Sequence, residues 1–248
     1  MAIFLDLDNT ILPSKPAYDY AIKQLAFDWE NKGIGSNEEF TNIYLSSREI
    51  VKKQLLHHTS NRLRLLCFKH MLAEKNSGIS THDMEFLLWL EDRYYFHFET
   101  SLQNAKSNDP NWQSLISYLE KLFQKHSVWI LTNETLRTQL MKLKAFFPPS
   151  IKWNLITSEE IGLEKPDSNY FNYALRISGS LPNKTFMVGD NLEDDIFGAS
   201  KCGIHAIHLL SIFGEDKQVK EVNGKGNTHY HSTSNIYSAI EFGLNRFS

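Results

Sequence analysis

Two aspartates, Asp6 and Asp8, stand one residue apart directly after the apolar run Ile3-Phe4-Leu5. The run reads as a short buried strand. Thr10 and then Pro13 break it, so both acids fall where the strand is ending. Aspartate is depleted in strands, and an unpaired buried carboxylate is costly. A divalent cation would offset two of them side by side, because hard cations prefer carboxylate oxygens. An acidic turn on a solvated edge is the plainer account, and the apolar residues before it speak against a surface loop. A carboxylate at a strand end can act as a nucleophile and carry an aspartyl-phosphate. A second one nearby can serve as general acid and then base.

Further along, other groups suit the same chemistry. Thr132 closes the apolar run Val128-Trp129-Ile130-Leu131 and offers a hydroxyl. The backbone amides opening the next helix offer donors to an anion. Lys165 precedes Pro166, which favours an extended backbone there. Its charge suits both phosphate oxygens and a carboxylate nucleophile. Asp190 follows Phe186-Met187-Val188-Gly189 and gives another carboxylate for Mg²⁺, with Asp194 or Asp195 close behind. The cation would screen an anionic nucleophile from an anionic substrate. Each group alone has an ordinary explanation: a surface lysine, a helix cap, a turn. Their joint occurrence in this order favours phosphoryl chemistry.

These groups need a scaffold that brings them to one edge. Apolar strand-like runs at 3–5, 128–131, 153–157, 186–188 and 206–210 alternate, after the first, with helical stretches at 112–125, 136–147, through Phe171 and Leu175, and through Ile196 and Ala199. This alternation predicts an α/β fold with a Rossmann-like, doubly wound parallel sheet and right-handed crossovers. All strand C-terminal ends then share one edge, where ligands of open α/β sheets bind. Between the first two strands lie four predicted helices: 16–29, one from a Ser36/Glu39 capping box towards Leu56, 62–74 and 81–98. His57 to Asn61 reads as a break between helices, and Asn76-Ser77-Gly78 as a helix end. The expected organisation is a core of residues 1–13 and 105–248 with a helical domain, 14–104, inserted after the first strand. Residues 214–232, polar and rich in Lys and Asn, read as a mobile surface loop, and 235–247 as a terminal helix. His205, His208, His229 and His231 match no clear metal spacing, so solvated or locally bonded histidines are expected.

Composition narrows the partners. The 248 residues carry a net charge of −3 with no single-sign bias, so no general basic footprint for nucleic acid is present. Two cysteines, Cys67 and Cys202, give neither a disulfide framework nor zinc spacing, and suit a reducing compartment. No run reaches transmembrane length, and the N-terminus has no signal-like segment. A cytoplasmic protein with no membrane or nucleic-acid polymer partner is expected.

Asp6-Leu7-Asp8-Asn9-Thr10, Leu131-Thr132-Asn133, Glu164-Lys165-Pro166 and Gly189-Asp190-Asn191-Leu192-Glu193-Asp194-Asp195 resemble the four ordered motifs of the haloacid dehalogenase-like hydrolase superfamily. The resemblance covers residues 1–13 and about 105–212. A helical insert directly after the first motif looks like that superfamily's C1 cap, a lid that sets specificity. The wider pattern, with Ser158-Glu159-Glu160-Ile161-Gly162, is similar to its house-cleaning nucleotidases and N-acylneuraminate-9-phosphatases. The resemblance implies that Asp6 is nucleophile and Mg²⁺ ligand, and that Asp8 is general acid/base with its backbone carbonyl on the metal. It implies that Thr132, Asn133 and Lys165 hold the transferring phosphoryl group, and that Asp190 and Asp195 serve the metal. Dehalogenases of the superfamily lack an acid at the position of Asp8, since a halide needs no proton; an alcohol leaving group does. Hydrolysis of a small phosphorylated metabolite, of nucleotide or sugar-phosphate class, is therefore expected. A phosphomutase and a non-catalytic binding protein on the same scaffold are the alternatives. Glu134 departs from the glycine that relatives often carry there. In the insert, Arg48, Arg62 and Arg64 could reach an anionic group. The aromatic cluster of Trp89, Tyr94, Tyr95, Phe96 and Phe98 is better explained as helix packing than as a base-stacking surface.

Overall fold

The apolar residues Ala2–Leu5 form strand β1, and all four are buried. The computed structural model describes residues 1–55, 63–76, 78–224 and 228–247. Helices α1 (Ser14–Asn31), α2 (Asn37–Leu55), α3 (Leu63–Asn76), α4 (Thr81–Asn108) and α5 (Pro110–Lys125) come next. Then follow β2 (Ser127–Thr132), α6 (Leu136–Phe146), β3 (Leu155–Thr157), α7 (Ser158–Ile161), α8 (Ser168–Ser178) and β4 (Thr185–Gly189). A π-helical turn, Leu192–Phe197, leads into α9 (Gly198–Lys201). The chain ends with β5 (His205–Leu209), β6 (Lys220–Asn223), β7 (His229–Thr233) and α10 (Ile236–Phe247).

The strands make one sheet in the order β3-β2-β1-β4-β5-β7-β6. All neighbours are parallel except β6 and β7, so this is the expected Rossmann-like α/β fold. A parallel sheet is covered on both faces, which is why its strands read as apolar runs. Ala2, Phe4 and Met187 pack with Tyr170, Phe171 and Ala174 of α8 and with Ala199 of α9. On β4 the neighbouring residue, Phe186, lies against Gly243 of α10, where a Cβ would come within 2.5 Å of its ring. Local signals start the helices that order this edge. Asp109 accepts from Asn111 N ahead of α5, Thr157 and Glu160 form a capping box at α7, and Asp167 accepts from Asn169 N at α8.

Residues 214–232 are not a loop throughout. Their polar sequence forms the antiparallel pair β6 and β7, and β7 adds parallel to β5. Tyr230 and Thr233 turn inward, while β6 is an exposed, charged edge strand, a composition that discourages further pairing. α4 also runs ten residues beyond its expected end at Phe98. The histidines are locally engaged: His205 stacks on Phe247, His231 lies against Phe242, and His208 Nε2 donates to the Asp190 carbonyl at 3.0 Å.

The chain divides into two compact units, Met1–Pro13 with Lys106–Ser248, and Ser14–Ala105. The second is helical among the described residues, and its centre is aromatic: Trp29, Phe40, Tyr44, Phe68, Tyr94 and Phe98 are buried. Asp28 accepts from Arg93 Nε at 2.8 Å and pairs with His97 Nε2 at 2.7 Å. Arg64 donates to the Tyr44 hydroxyl, with its guanidinium 4.5 Å from the Tyr94 ring centre. Arg62, Ser77 and the expected break at residues 57–61 lie outside the described residues.

Candidate active site

Strand register decides what meets Asp6. Leu5 pairs with Ile130 on one side and Val188 on the other, so Asp6 emerges beside Leu131 and Gly189. Its amide donates to the Val188 carbonyl at 2.9 Å, which keeps the backbone in the sheet as far as this residue. The carboxylate faces Lys165. The ammonium donates to Asp6 Oδ1 at 2.7 Å, to Asp195 Oδ1 at 2.5 Å and to the Leu131 carbonyl at 2.8 Å. A lysine has three protons to give, and all three are placed within the protein. Thr10 Oγ1 donates to Asp6 Oδ2 at 3.3 Å. Asn133 holds the lysine backbone from both sides: its Nδ2 donates to the Lys165 carbonyl at 2.8 Å, and its Oδ1 accepts from Lys165 N at 2.7 Å. The Asn133 amide is thus engaged with the backbone of the lysine loop.

Asp195, not Asp194, joins this cluster. In the π-helical turn the Asn191 carbonyl accepts from both Asp195 N and Ile196 N, at 3.0 and 3.3 Å. Asn191 N donates to Asp195 Oδ2 at 3.1 Å, while Asn191 Nδ2 takes Asp194 outward at 2.9 Å. Gly189 makes the inward placement possible, because a Cβ there would strike the Asp195 carboxylate. Gly198 serves the lysine loop in the same way, since a Cβ would meet the Phe171 ring at 2.6 Å and Pro166 Cα at 3.0 Å.

Asp8 opens a tight turn in which Asn9, at φ 61°, is left-handed and donates to the Leu12 carbonyl at 2.8 Å. Asn tolerates that conformation better than most residues. Position 134 has no positive φ, so Glu134 in place of glycine creates no backbone conflict. Asp8 does not share Lys165. Its oxygens accept from Lys142 Nζ at 2.7 and 2.9 Å, and Oδ2 also accepts from Gln139 Nε2 at 3.0 Å. Gln139 Nε2 reaches Thr132 Oγ1 at 2.5 Å as well. Thr132 is fixed at the end of β2 by its amide, which donates to the Tyr170 hydroxyl at 3.0 Å. Neither Gln139 nor Lys142 is among the residues singled out from sequence. Both sit on α6, three apart, and are fully or almost fully buried. On the same helix Leu136 and Leu140 are 36% and 53% exposed. A signal for them existed: two long polar residues in step with Leu143 and Phe146, the apolar residues that α6 does bury.

Burial governs the electrostatics. It pushes Asp6 well above the ordinary carboxylate range; Lys165 pulls it down, and Asp195, Asp190 and Asp8 add to the rise. Burial likewise lifts Asp190 to about 6, with Asp195 adding to it and Lys165 opposing. For Lys165, burial works against the charge, but Asp195 and Asp6 overcome it and keep the ammonium protonated. Asp6, Asp190 and Asp195 each offer an oxygen within 4.8 Å of the others. With all four carboxylates, those of Asp6, Asp8, Asp190 and Asp195, ionised against two ammonium groups, two negative charges remain. An all-oxygen donor set with that excess fits a hard divalent cation.

The chain is thus an α/β protein whose sheet carries converging carboxylates and a buried lysine at its C-terminal edge. The chain belongs to the haloacid dehalogenase-like hydrolase family, whose model matches residues 1–203. It is 29% identical over 213 residues to ribulose-1,5-bisphosphate 5-phosphatase of Halopiger xanaduensis, with 83% of each chain covered. It is 24% identical over 216 residues to the pyrimidine 5'-nucleotidase PynA of Streptococcus pneumoniae, covering 83% of this chain and 81% of that one. In fold it is similar to the magnesium-bound HAD-hydrolase YfnB of Bacillus subtilis. That likeness has a TM-score of 0.59 and 24% identity, over 84% of this chain and 87% of that one. No helix among the described residues is long and apolar enough to cross a membrane.

Proposed function

We propose that this chain is a Mg²⁺-dependent phosphatase of small phosphomonoesters that works through an aspartyl-phosphate on Asp6. The observation that carries the reading is the pairing of roles at the end of β1. Asp6 lies in the Lys165–Asp195–Asp190 cluster, while Asp8, one residue apart, is held by a different cation. The relatives, a sugar-bisphosphate phosphatase and a nucleotidase, support a sugar-phosphate or nucleotide substrate. Asp6, Asp190 and Asp195, with the Asp8 carbonyl, would hold Mg²⁺. The bound ion would neutralise charge on the phosphoryl oxygens and favour the ionised form of Asp6.

The chain's own residues carry the steps. Asp6 Oδ attacks phosphorus, and the bond from phosphorus to the ester oxygen breaks. Asp8 gives its proton to the departing alkoxide, so that a neutral alcohol leaves. Water then attacks the phosphorus of the aspartyl-phosphate and gives a proton to Asp8. The bond from phosphorus to Asp6 breaks, releasing phosphate and restoring the carboxylate. Thr132 donates to a phosphoryl oxygen. Lys165 balances Asp6 and Asp195 and exchanges one of its three bonds for the incoming phosphoryl group. Asn133 supports this by fixing the lysine backbone. The helical unit, Ser14–Ala105, acts as a cap that selects the leaving group. The free thiols of Cys67 and Cys202 suit a reducing cytoplasm.

Asp6→Asn assayed with 4-nitrophenyl phosphate and Mg²⁺ tests the assignment. Turnover is expected to vanish in the variant and, in the wild type, on chelation of Mg²⁺. Undiminished Mg²⁺-dependent turnover by Asp6→Asn refutes it.

A further inference from the structure

Lys142 and Gln139 take no chemical step in the reaction above, yet both are buried beside Asp8. A buried ammonium is costly unless paired, and this one spans both oxygens of a single carboxylate, at 2.7 and 2.9 Å. Two contacts on one carboxylate resist its rotation about the Cβ–Cγ bond. Gln139 adds a third, at 3.0 Å. Its orientation is not arbitrary. In the ionised form that Lys142 spans, Asp8 only accepts, so the amide nitrogen is the atom that faces it between proton transfers. That same nitrogen donates to Thr132 Oγ1 at 2.5 Å. The Thr132 oxygen is then the acceptor in that contact, and its own proton is directed elsewhere. Gln139 Oε1 is buried with no partner, so the amide is placed by what its nitrogen meets and not by its oxygen.

We propose that Lys142 and Gln139, three residues apart on α6, are positioning residues that lock the Asp8 carboxylate in line with the departing oxygen and turn the Thr132 hydroxyl proton towards the phosphoryl group. This rests on the role given to Asp8 above. It assigns the enzyme's competence towards poor leaving groups to α6. An alkoxide needs a well-placed proton to depart, whereas 4-nitrophenolate leaves without one. The latch therefore matters for the first ester and little for the second.

The test compares kcat/KM for an alkyl monophosphate and for 4-nitrophenyl phosphate, because this quantity reports the steps up to leaving-group expulsion. Lys142→Met is expected to lower it about 100-fold on the alkyl ester and no more than a few-fold on the aryl ester. Lys142→Arg, which keeps charge and donors, is expected to recover most of the loss. Gln139→Leu, which creates no unpaired charge, is expected to show the same split at about tenfold. It carries the test if Lys142→Met does not fold. Equal losses on both esters, or no loss on either, in variants that melt like the wild type would overturn the inference. Absence of Mg²⁺-dependent turnover of both esters by the wild type would instead remove the phosphatase reading, and this inference with it.

Discussion

Replacing Lys165 by methionine should destabilise the protein in a way that depends on pH. Methionine fills much the same volume, so the change isolates the charge. In the wild type Lys165 is 3% exposed, and its ammonium lies 2.7 Å from Asp6 and 2.5 Å from Asp195. Its removal leaves two buried carboxylates facing each other, with Asp190 within 4.8 Å. Breaking a buried ion pair by deleting one partner costs about 3–5 kcal/mol. At this chain length each kcal/mol moves the melting temperature by about 2–4 °C, so a fall of about 6–20 °C is expected near neutral pH. The cost arises from ionised carboxylates without a counter-charge. It should therefore shrink as the pH is lowered and they take up protons, and Mg²⁺ should return part of it at neutral pH. Differential scanning calorimetry of both proteins between pH 5 and 8, with and without Mg²⁺, measures this. A pH-independent loss would show that Lys165 contributes by packing alone, and the charge balance drawn for this edge would be wrong.

Other consequences are smaller. Gly189→Ala pushes a methyl group into the Asp195 carboxylate and is expected to cost about 1–3 kcal/mol and to raise the Mg²⁺ concentration needed for half-maximal turnover; an unchanged Mg²⁺ dependence would count against Asp195 as part of the metal site. For Asp190, held at about 6 against an ordinary 3.8, the protonated form favours the folded state. Its contribution is therefore present below about pH 4 and is lost as the pH rises through 6. Metal-free wild type should lose melting temperature over that window relative to Asp190→Asn, and the Mg²⁺-induced rise should be larger at pH 7 than at pH 5; the opposite slope in the metal-free pair would refute the shift.

Features that depend on local chemistry could be read from the sequence. The strand-end acids, the strand–helix alternation after residue 105 and the long helical insert each leave a continuous pattern in neighbouring residues. What escaped depends on partners far away in the chain. α6 is the clearest case. Its apolar Leu136 and Leu140 face solvent, while polar Gln139 and Lys142 face inward. The face is inverted because Lys142 meets Asp8, 134 residues earlier, and periodicity cannot show a counter-charge at that distance. β6 and β7 were hidden for a related reason. Their only buried residues are Tyr230 and Thr233, too few to stand out from a polar loop. The choice between Asp194 and Asp195 turns on an Asn191 carbonyl that accepts from two successive amides, a π-helical detail with no sequence signature.

The division of cations at this edge bears on how one strand end can support two chemical roles. Asp6 and Asp8 are close in sequence, and a single shared lysine would couple them: a change of charge on one would be felt directly by the other. Here Lys165 pairs with Asp6 and Asp195, and Lys142 pairs with Asp8. Asp6 is thus tied to the acidic cluster, and Asp8 to a helix outside it. In the proposed reaction Asp6 gains and loses a phosphoryl group while Asp8 loses and regains a proton. Each then does so against its own fixed counter-charge, and the lysine facing Asp8 need not move when the phosphoryl group arrives at Lys165. Under the proposed roles, that separation would let α6 set leaving-group preference without altering the acidic cluster, and Lys142 and Lys165 variants should fail in different ways.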